Sequence, residues 1–266
     1  MVDIIIPIYK NSPSVDDHIS IERTFSFLKE YGITFVHPKS MDVYEYQKYE
    51  GAQFKGFDDI YFKNIEGYNR LMLDTVFYES FQKKYILICQ TDAFIFKDNL
   101  KFWCEKNYDY IGAPWIRSRA KIPFIKLFWD KSIYSLKRII NFKGNRKWQK
   151  DKSLMYNQVG NGGLSLRNRA KFIEILKQLS QVVDIYLKPE NKSAFYAEDV
   201  FFSIEPKRNG IDFSTPNYKE ACPFAIENKQ EIALDFNAGQ LPFGCHRWNK
   251  EKDFWRKYFA KEGYKI

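Results

Sequence analysis

The sequence predicts an α/β fold with a mostly parallel central sheet. Three observations carry this. Short apolar runs alternate with segments of helical spacing from Val2 to Gly112. Proline or glycine (Pro7, Gly32, Gly112 and Pro114) marks the ends of several runs. The alternation of strand-like and helix-like segments is the pattern of crossover connections, which join parallel neighbours.

The elements follow in order. "VDIIIPI" is a buried strand ended by Pro7, whose ring removes a backbone donor. "DDHISIERTFSFLKEYG" has helical spacing and stops at Gly32. "ITFVHP" is a second strand and "DDIYFK" a candidate third. "YNRLMLDTVFYESFQKK" carries an apolar stripe and predicts one helix, followed directly by the strand "YILICQ". "YDYIGAP" is a short strand. "VGNGGLSLRN" is a turn and a strand, and "RAKFIEILKQLSQVVDIYL" a helix. "NKSAFYAEDVFFSIEPKRNG" begins as a loop and becomes helical near Glu198. Short strands and loops are expected from Ile211 to Trp248, with "KEKDFWRKYFAKEG" as a closing helix.

Composition narrows the class. The 266 residues are 45% hydrophobic and 18% aromatic, enough for a sizeable core. Aromatics are mostly core residues, and they also supply the rings on which sugar faces stack. No apolar run reaches the roughly 18 residues of a spanning helix. Asp3 stands where a signal peptide would be basic, so a cytoplasmic location is expected. Cys89, Cys104, Cys222 and Cys245 are widely spaced and lack a C-x-x-C pattern, which predicts reduced, buried thiols.

The net charge of +9 is a local feature. Between Trp115 and Lys150 eleven basic residues face only Asp130, so this stretch accounts for the whole excess. One domain over residues 1–266 is predicted, with 115–150 as a basic, aromatic insertion or lid. Cations interleaved with Trp, Phe and Ile suit an anionic membrane surface, and equally a solvated lid.

Four places can carry chemistry. Asp92, in "QTDAFIF", ends a buried strand, where open α/β sheets bind ligands. Such a carboxylate either caps the next turn or holds a divalent cation. "GNGG" at Gly160 to Gly163 permits positive φ and close approach of a ligand, or makes an ordinary tight turn. Glu198 and Asp199 precede an apolar helical run. They either complement a helix N-terminus or include a general base. His246 in "LPFGCHRW" is a structural histidine or a ligand for a metal such as Mn²⁺.

Strand-end acid, Gly-Gly turn, Glu-Asp pair and C-terminal histidine, in that order, resemble the GT-A class of nucleotide-sugar glycosyltransferases. That class has a Rossmann-like fold. "QTDAFIF" stands at its Asp-x-Asp motif and "AED" (Ala197 to Asp199) at its x-Glu-Asp motif. More narrowly, "YILICQTDAFI", "YDYIGAPW", "GNGGLSLR", "EDVFFS" and "PFGCHRW" together are similar to a bacterial and fungal family regarded as glycosyltransferases and known mainly as a domain of unknown function, the DUF5672 group.

The resemblance implies a GT-A-like fold and transfer of a sugar from a nucleotide sugar, with UDP as the expected nucleotide. The acceptor would be a saccharide or a polyprenyl-linked saccharide, in bacterial surface polysaccharide or lipopolysaccharide assembly at the inner face of the membrane. It implies Mn²⁺ or Mg²⁺ on Asp92 and His246, bridging the donor diphosphate. Asp199 would be the base of an inverting transfer, and Glu198 would orient acceptor or sugar. Donor contacts would come from Pro7 and Tyr9 at the base, Lys63 and Arg70 at ribose or phosphates, and Thr91, Asp92, Gly162 and Gly163. Gln90 departs from the motif's first Asp and keeps only hydrogen-bonding capacity.

Three other readings stay open. A nucleic-acid binder would use the basic, aromatic stretch, although no helix-turn-helix, RNP motif or zinc finger is present. A retaining transferase and a non-catalytic sugar-binding domain would share the fold.

Overall fold

The computed structural model describes residues 1–117, 154–191 and 194–266, together with positions 128, 129, 132, 133 and 136. Most of the insertion predicted over 115–150 therefore lies outside the described residues.

The chain opens with strand β1 (Val2–Pro7), helix α1 (Val15–Leu28), strands β2 (Gly32–Pro38) and β3 (Gln53–Phe57), and helices α2 (Ile65–Met72) and α3 (Thr75–Glu79). Strands β4 (Tyr85–Cys89) and β5 (Phe94–Ile95) follow, then α4 (Leu100–Glu105), β6 (Tyr110–Gly112) and β7 (Leu164–Asn168). Next come α5 (Arg169–Gln178), α6 (Ser180–Tyr186), α7 (Glu198–Arg208) and α8 (Tyr218–Ala221). The chain closes with β8 (Ala225–Ile226), α9 (Gln230–Phe236), β9 (Gly244–Cys245) and α10 (Lys252–Lys261).

Six strands form the main sheet in the order β3-β2-β1-β4-β7-β6. The pairs among β1, β2, β3 and β4 are parallel, while β7 runs antiparallel to both β4 and β6. The sheet is thus α/β and mostly parallel, as the alternation predicts. Side chains alternate between its faces. Ile5, Ile86 and Ile88 meet residues of α2, α3, α5 and α7 on one face. Ile4, Ile6 and Leu87 meet α1 and α4 on the other. Burying each such side chain is worth about 1.5–3 kcal/mol relative to exposure, so both layers are held firmly.

A second sheet, β5-β9-β8, is built from two-residue strands. One of its faces has a cluster of its own: Phe94, Phe96, Cys245 and Trp248 pack with Trp255 and Phe259 of α10.

Some boundaries differ from expectation, each for a local reason. "DDIYFK" is a 3-10 turn at Asp59–Phe62, because the Asp58 side chain accepts the Ile60 N–H and bends the chain. The third strand is instead "QFKGF", just upstream. The single helix expected over 68–84 is two, since Asp74 accepts the Val76 N–H and starts a new one. The 169–187 segment also divides, at Leu179. The 211–248 region contains α8 and α9 as well as short strands. All four cysteines are free and buried, in line with the spacing. No helix among the described residues is long and apolar enough to cross a membrane.

Candidate functional site

The site forms where β4 ends. The Gln90 N–H donates to Gly163 O at 2.8 Å, which ties the exit of β4 to the entry of β7. The "GNGG" turn therefore sits at the carboxyl ends of the parallel strands, the ligand edge of such a sheet. Asp92 follows two residues on. The β5–β9 pairing sets Phe94 opposite Cys245, and the next residue, His246, comes to lie beside Asp92.

His246 is buried, with acceptors around both ring nitrogens. Nε2 lies 3.0 Å from Asp92 Oδ1 and 3.1 Å from Gln90 Oε1. Nδ1 faces Glu227 Oε1 at 3.6 Å. Burial alone would lower the imidazole pKa, but the hydrogen bonds and charges of Asp92 and Glu227 raise it to about 9. Burial likewise pushes Asp92 upward, and His246 more than offsets that, holding the carboxyl below its ordinary value.

These donors fit a divalent cation. An octahedral ion with bonds of about 2.1 Å has neighbouring ligand atoms roughly 3 Å apart. Asp92 Oδ1 and Gln90 Oε1 have that spacing from Nε2. Glu227 faces the far nitrogen at 3.6 Å, where it supplies negative charge behind the imidazole. Oxygen and imidazole donors suit Mn²⁺ or Mg²⁺. Among the described residues there is no group of three or more His, Cys, Asp and Glu that could hold a metal.

The Glu-Asp pair begins α7, and its members have different surroundings. Glu198 is buried, and its Oε1 accepts from Arg167 Nη2 at 3.0 Å. Arg167 is fully buried on β7. It also donates to Ser165 Oγ at 3.0 Å, Tyr78 Oη at 2.9 Å and Gly162 O at 3.3 Å. Glu198 Oε2 has no hydrogen-bond partner among the described residues. Asp199 is half-buried, and its Oδ1 accepts the Val200 N–H at 2.8 Å. Burial, then the charges of Glu198 and Glu227, lift the Asp199 pKa to about 7, against hydrogen bonds from the Val200 and Gly162 amides. A carboxylate poised there exchanges a proton readily near neutrality.

Two adjoining cavities reach Gln90, Asp92 and Asp199 of these groups. The first, about 430 Å³, is lined by Pro7, Tyr9, Lys10, Asp17, Tyr68, Gln90, Thr91, Asp92 and Asn249. The second, about 820 Å³, is lined by Arg70, Tyr186, Lys188, Tyr196, Asp199 and Arg247. Lys63, Asn64 and Ile65 border both. The structure therefore places Pro7, Tyr9, Thr91 and Asp92 together, with Lys63 at the junction and Arg70 beside Asp199.

The glycines act differently from expectation. Neither Gly162 nor Gly163 lines either cavity, and neither has positive φ. The left-handed residue is Asn161, at φ 67°, whose Oδ1 accepts the Gly163 N–H. The glycines instead make room for side chains of the site. A Cβ at Gly162 would collide with Glu198 Oε1, and one at Gly163 with the His246 ring. Gly163→Ala is expected to displace His246 and to destabilise the fold by about 1–3 kcal/mol through overpacking, read by chemical denaturation.

Sequence reasoning missed several residues. Lys10 and Asp17 pair at 3.0 Å beside Thr91, yet both read as surface charges. Glu227 carries no local signal. Arg167 does, since an arginine inside the apolar strand "LSLRN" needs a buried partner.

No curated protein sequence matches the chain. Several solved structures do. WbbM, a bifunctional glycosyltransferase in its apo form, aligns with a TM-score of 0.51 at 12% identity. The alignment spans 92% of this chain and 45% of WbbM. Mouse xyloside xylosyltransferase 1, also apo, aligns with a TM-score of 0.49 at 10% identity over 92% of this chain and 97% of its own. The galactosyltransferase LgtC, with donor and acceptor sugar analogs, gives 0.47 at 16% identity over 92% and 86%. At such identity the likeness to WbbM is one of fold. The family model described as "Protein of unknown function (DUF5672)" matches residues 51–246. The chain therefore belongs to the DUF5672 family, on a fold of the GT-A type.

Proposed function

We propose that the protein is an inverting glycosyltransferase that moves a sugar from a nucleotide sugar, UDP-linked, to a hydroxyl of a saccharide or lipid-linked saccharide. One observation carries this reading. Asp92, paired with the buried His246 behind it, borders one cavity, a carboxylate poised near neutrality borders the next, and the two cavities adjoin at Lys63 to Ile65.

In this reading the first cavity holds the nucleotide, with Pro7 and Tyr9 at the base and Lys10 and Lys63 as cations near the phosphates. Asp92, His246 and the Gln90 carbonyl would hold Mn²⁺ or Mg²⁺. When bound, that ion neutralises charge developing on the leaving diphosphate. Asp199 accepts the proton of the acceptor hydroxyl, whose oxygen forms the new bond to the anomeric carbon. The bond from that carbon to the diphosphate oxygen breaks, and the nucleotide diphosphate leaves with the electron pair. Attack from the opposite face inverts the configuration. Glu198, locked to Arg167, holds the start of α7, and with it Asp199, against β7.

Synthesis of surface polysaccharide or lipopolysaccharide at the inner face of a membrane is part of the same proposal. It draws support from the basic stretch and from the exposed Phe128, Trp129, Ile133 and Leu136 within it.

A transfer assay with UDP-sugars tests the whole reading. Product of opposite anomeric configuration is expected, with turnover lost in EDTA, restored by Mn²⁺, and raised by anionic vesicles carrying a lipid-linked acceptor. Full activity in EDTA would make Asp92 a direct sugar or ribose contact. Absence of both UDP binding and transfer would leave a binding domain on this fold.

A further inference from the structure

The lining of the cavity that Asp199 borders carries more positive than negative side chains. Lys63, Arg70, Lys188 and Arg247 line it, opposed by Glu66 and Asp199. The four cations come from separate parts of the chain: the turn before α2, α2 itself, the loop after α6 and the turn after β9. Lys63, Arg70 and Lys188 make no side-chain hydrogen bond or ion pair among the described residues. All four are solvent-exposed, yet they gather on the lining of one cavity beside Asp199, where their fields add. Arg247 adds a second observation. Its backbone is left-handed, with φ 56°, an uncommon conformation for a residue with a long side chain. That turn keeps Arg247 on the cavity wall, and its Nη1 reaches Glu227 at 3.3 Å while half the side chain stays open. Tyr186 and Tyr196 provide aromatic wall beside the cations.

We infer that this cavity is the acceptor subsite and that the acceptor carries an anionic group, phosphate or carboxylate, close to the hydroxyl that reacts. The inference rests on the proposed transfer reaction and names its acceptor class. The donor diphosphate, placed near Lys10 and Lys63, does not account for the other three cations. Arg70, Lys188 and Arg247 line only the Asp199 cavity, and the neighbouring one has Lys10 of its own. A neutral oligosaccharide would leave the lysines and Arg70 without a partner, since Glu227 already pairs with Arg247 and only Glu66 and Asp199 remain on the lining.

Calorimetric titration of the full chain with glucose, glucose 6-phosphate and glucuronate tests this, with UDP titrated separately. At least one of the two anionic probes is expected to bind about tenfold more tightly than glucose, and the preference should shrink as salt rises. The Arg70→Gln/Lys188→Gln double variant should remove most of it. Equal affinity for all three probes overturns the inference, as does a preference that survives the double variant. A preference abolished by Lys10→Gln instead would put the anion in the nucleotide cavity and overturn it too. UDP binding with no anion preference defeats this inference alone, whereas failure to bind UDP defeats the transfer reading beneath it.

Discussion

Asp199→Asn is expected to lower turnover by roughly 10²–10⁴-fold, the usual worth of a positioned general base, while the affinity for UDP-sugar moves less than about twofold. Asn keeps an oxygen for the Val200 N–H and removes only the capacity to accept a proton. A variant that turns over near the wild-type rate would remove Asp199 from the role of base. The pH profile provides an independent readout. With its pKa raised to about 7, Asp199 is mostly protonated and inactive at pH 5. The wild-type rate should rise with pH and level off above about 8. In the variant that rise should vanish.

The same shift has a stability consequence of opposite sign. Burial disfavours the ionised form, so the folded state holds this proton more tightly than the unfolded chain does. The penalty is absent below the ordinary carboxylate pKa, develops as pH rises from there to about 7, and is complete above it. Asp199→Asn should therefore match or exceed the wild-type Tm at pH 8 and lose that advantage at pH 4. A gain in stability joined to a loss of turnover distinguishes a base from a structural acid.

Arg167→Met should have the largest effect on stability. Its guanidinium is fully enclosed and bonded to Ser165, Tyr78, Gly162 and Glu198. Removing it strands the Glu198 carboxylate in the interior, at a cost of about 3–5 kcal/mol. Adding Glu198→Gln removes the stranded charge, and the double variant should recover a large part of that loss. Urea denaturation of the two variants decides it. Equal instability of both would mean that packing around Arg167, rather than the charge of Glu198, dominates. The double variant should still turn over slowly, because the tie between β7 and the start of α7 is gone.

The sheet was legible where burial imposed a pattern. "DIIIPI" and "YILIC" are nearly continuous apolar runs because strands covered on both faces have no polar side. β3 escaped notice for the opposite reason. It lies at the edge of the sheet, and Gln53, Lys55 and Gly56 dilute its pattern, while the more apolar "DDIYF" next to it is bent by Asp58. Two-residue strands such as β5 and β9 have no period to detect, yet their pairing sets His246 beside Asp92. The order of motifs singled out Asp92, Asp199 and His246; the fold brings the first two to adjoining cavities and buries His246 against Asp92. It could not reveal Glu227 or Lys10, whose meaning lies in what they face. The "GNGG" turn was noticed for the right residues and the wrong reason. Its glycines are slots for Glu198 and His246, and the left-handed position belongs to Asn161.

The small sheet packs one face, through Ile95 and Ala225, into the main core and the other onto a cluster of its own. Trp255 and Phe259 of α10 clamp Phe94, Phe96 and Trp248, and no strand of the six-stranded sheet depends on that clamp. A fluctuation that lifts α10 would uncover Phe94 and Trp248, each two residues from a member of the Asp92–His246 pair, and leave the main sheet folded. Binding a ligand across that pair would then do more than occupy a cavity: it would fasten the last helix to the body, so that the loaded protein exchanges its α10 amides more slowly than the empty one.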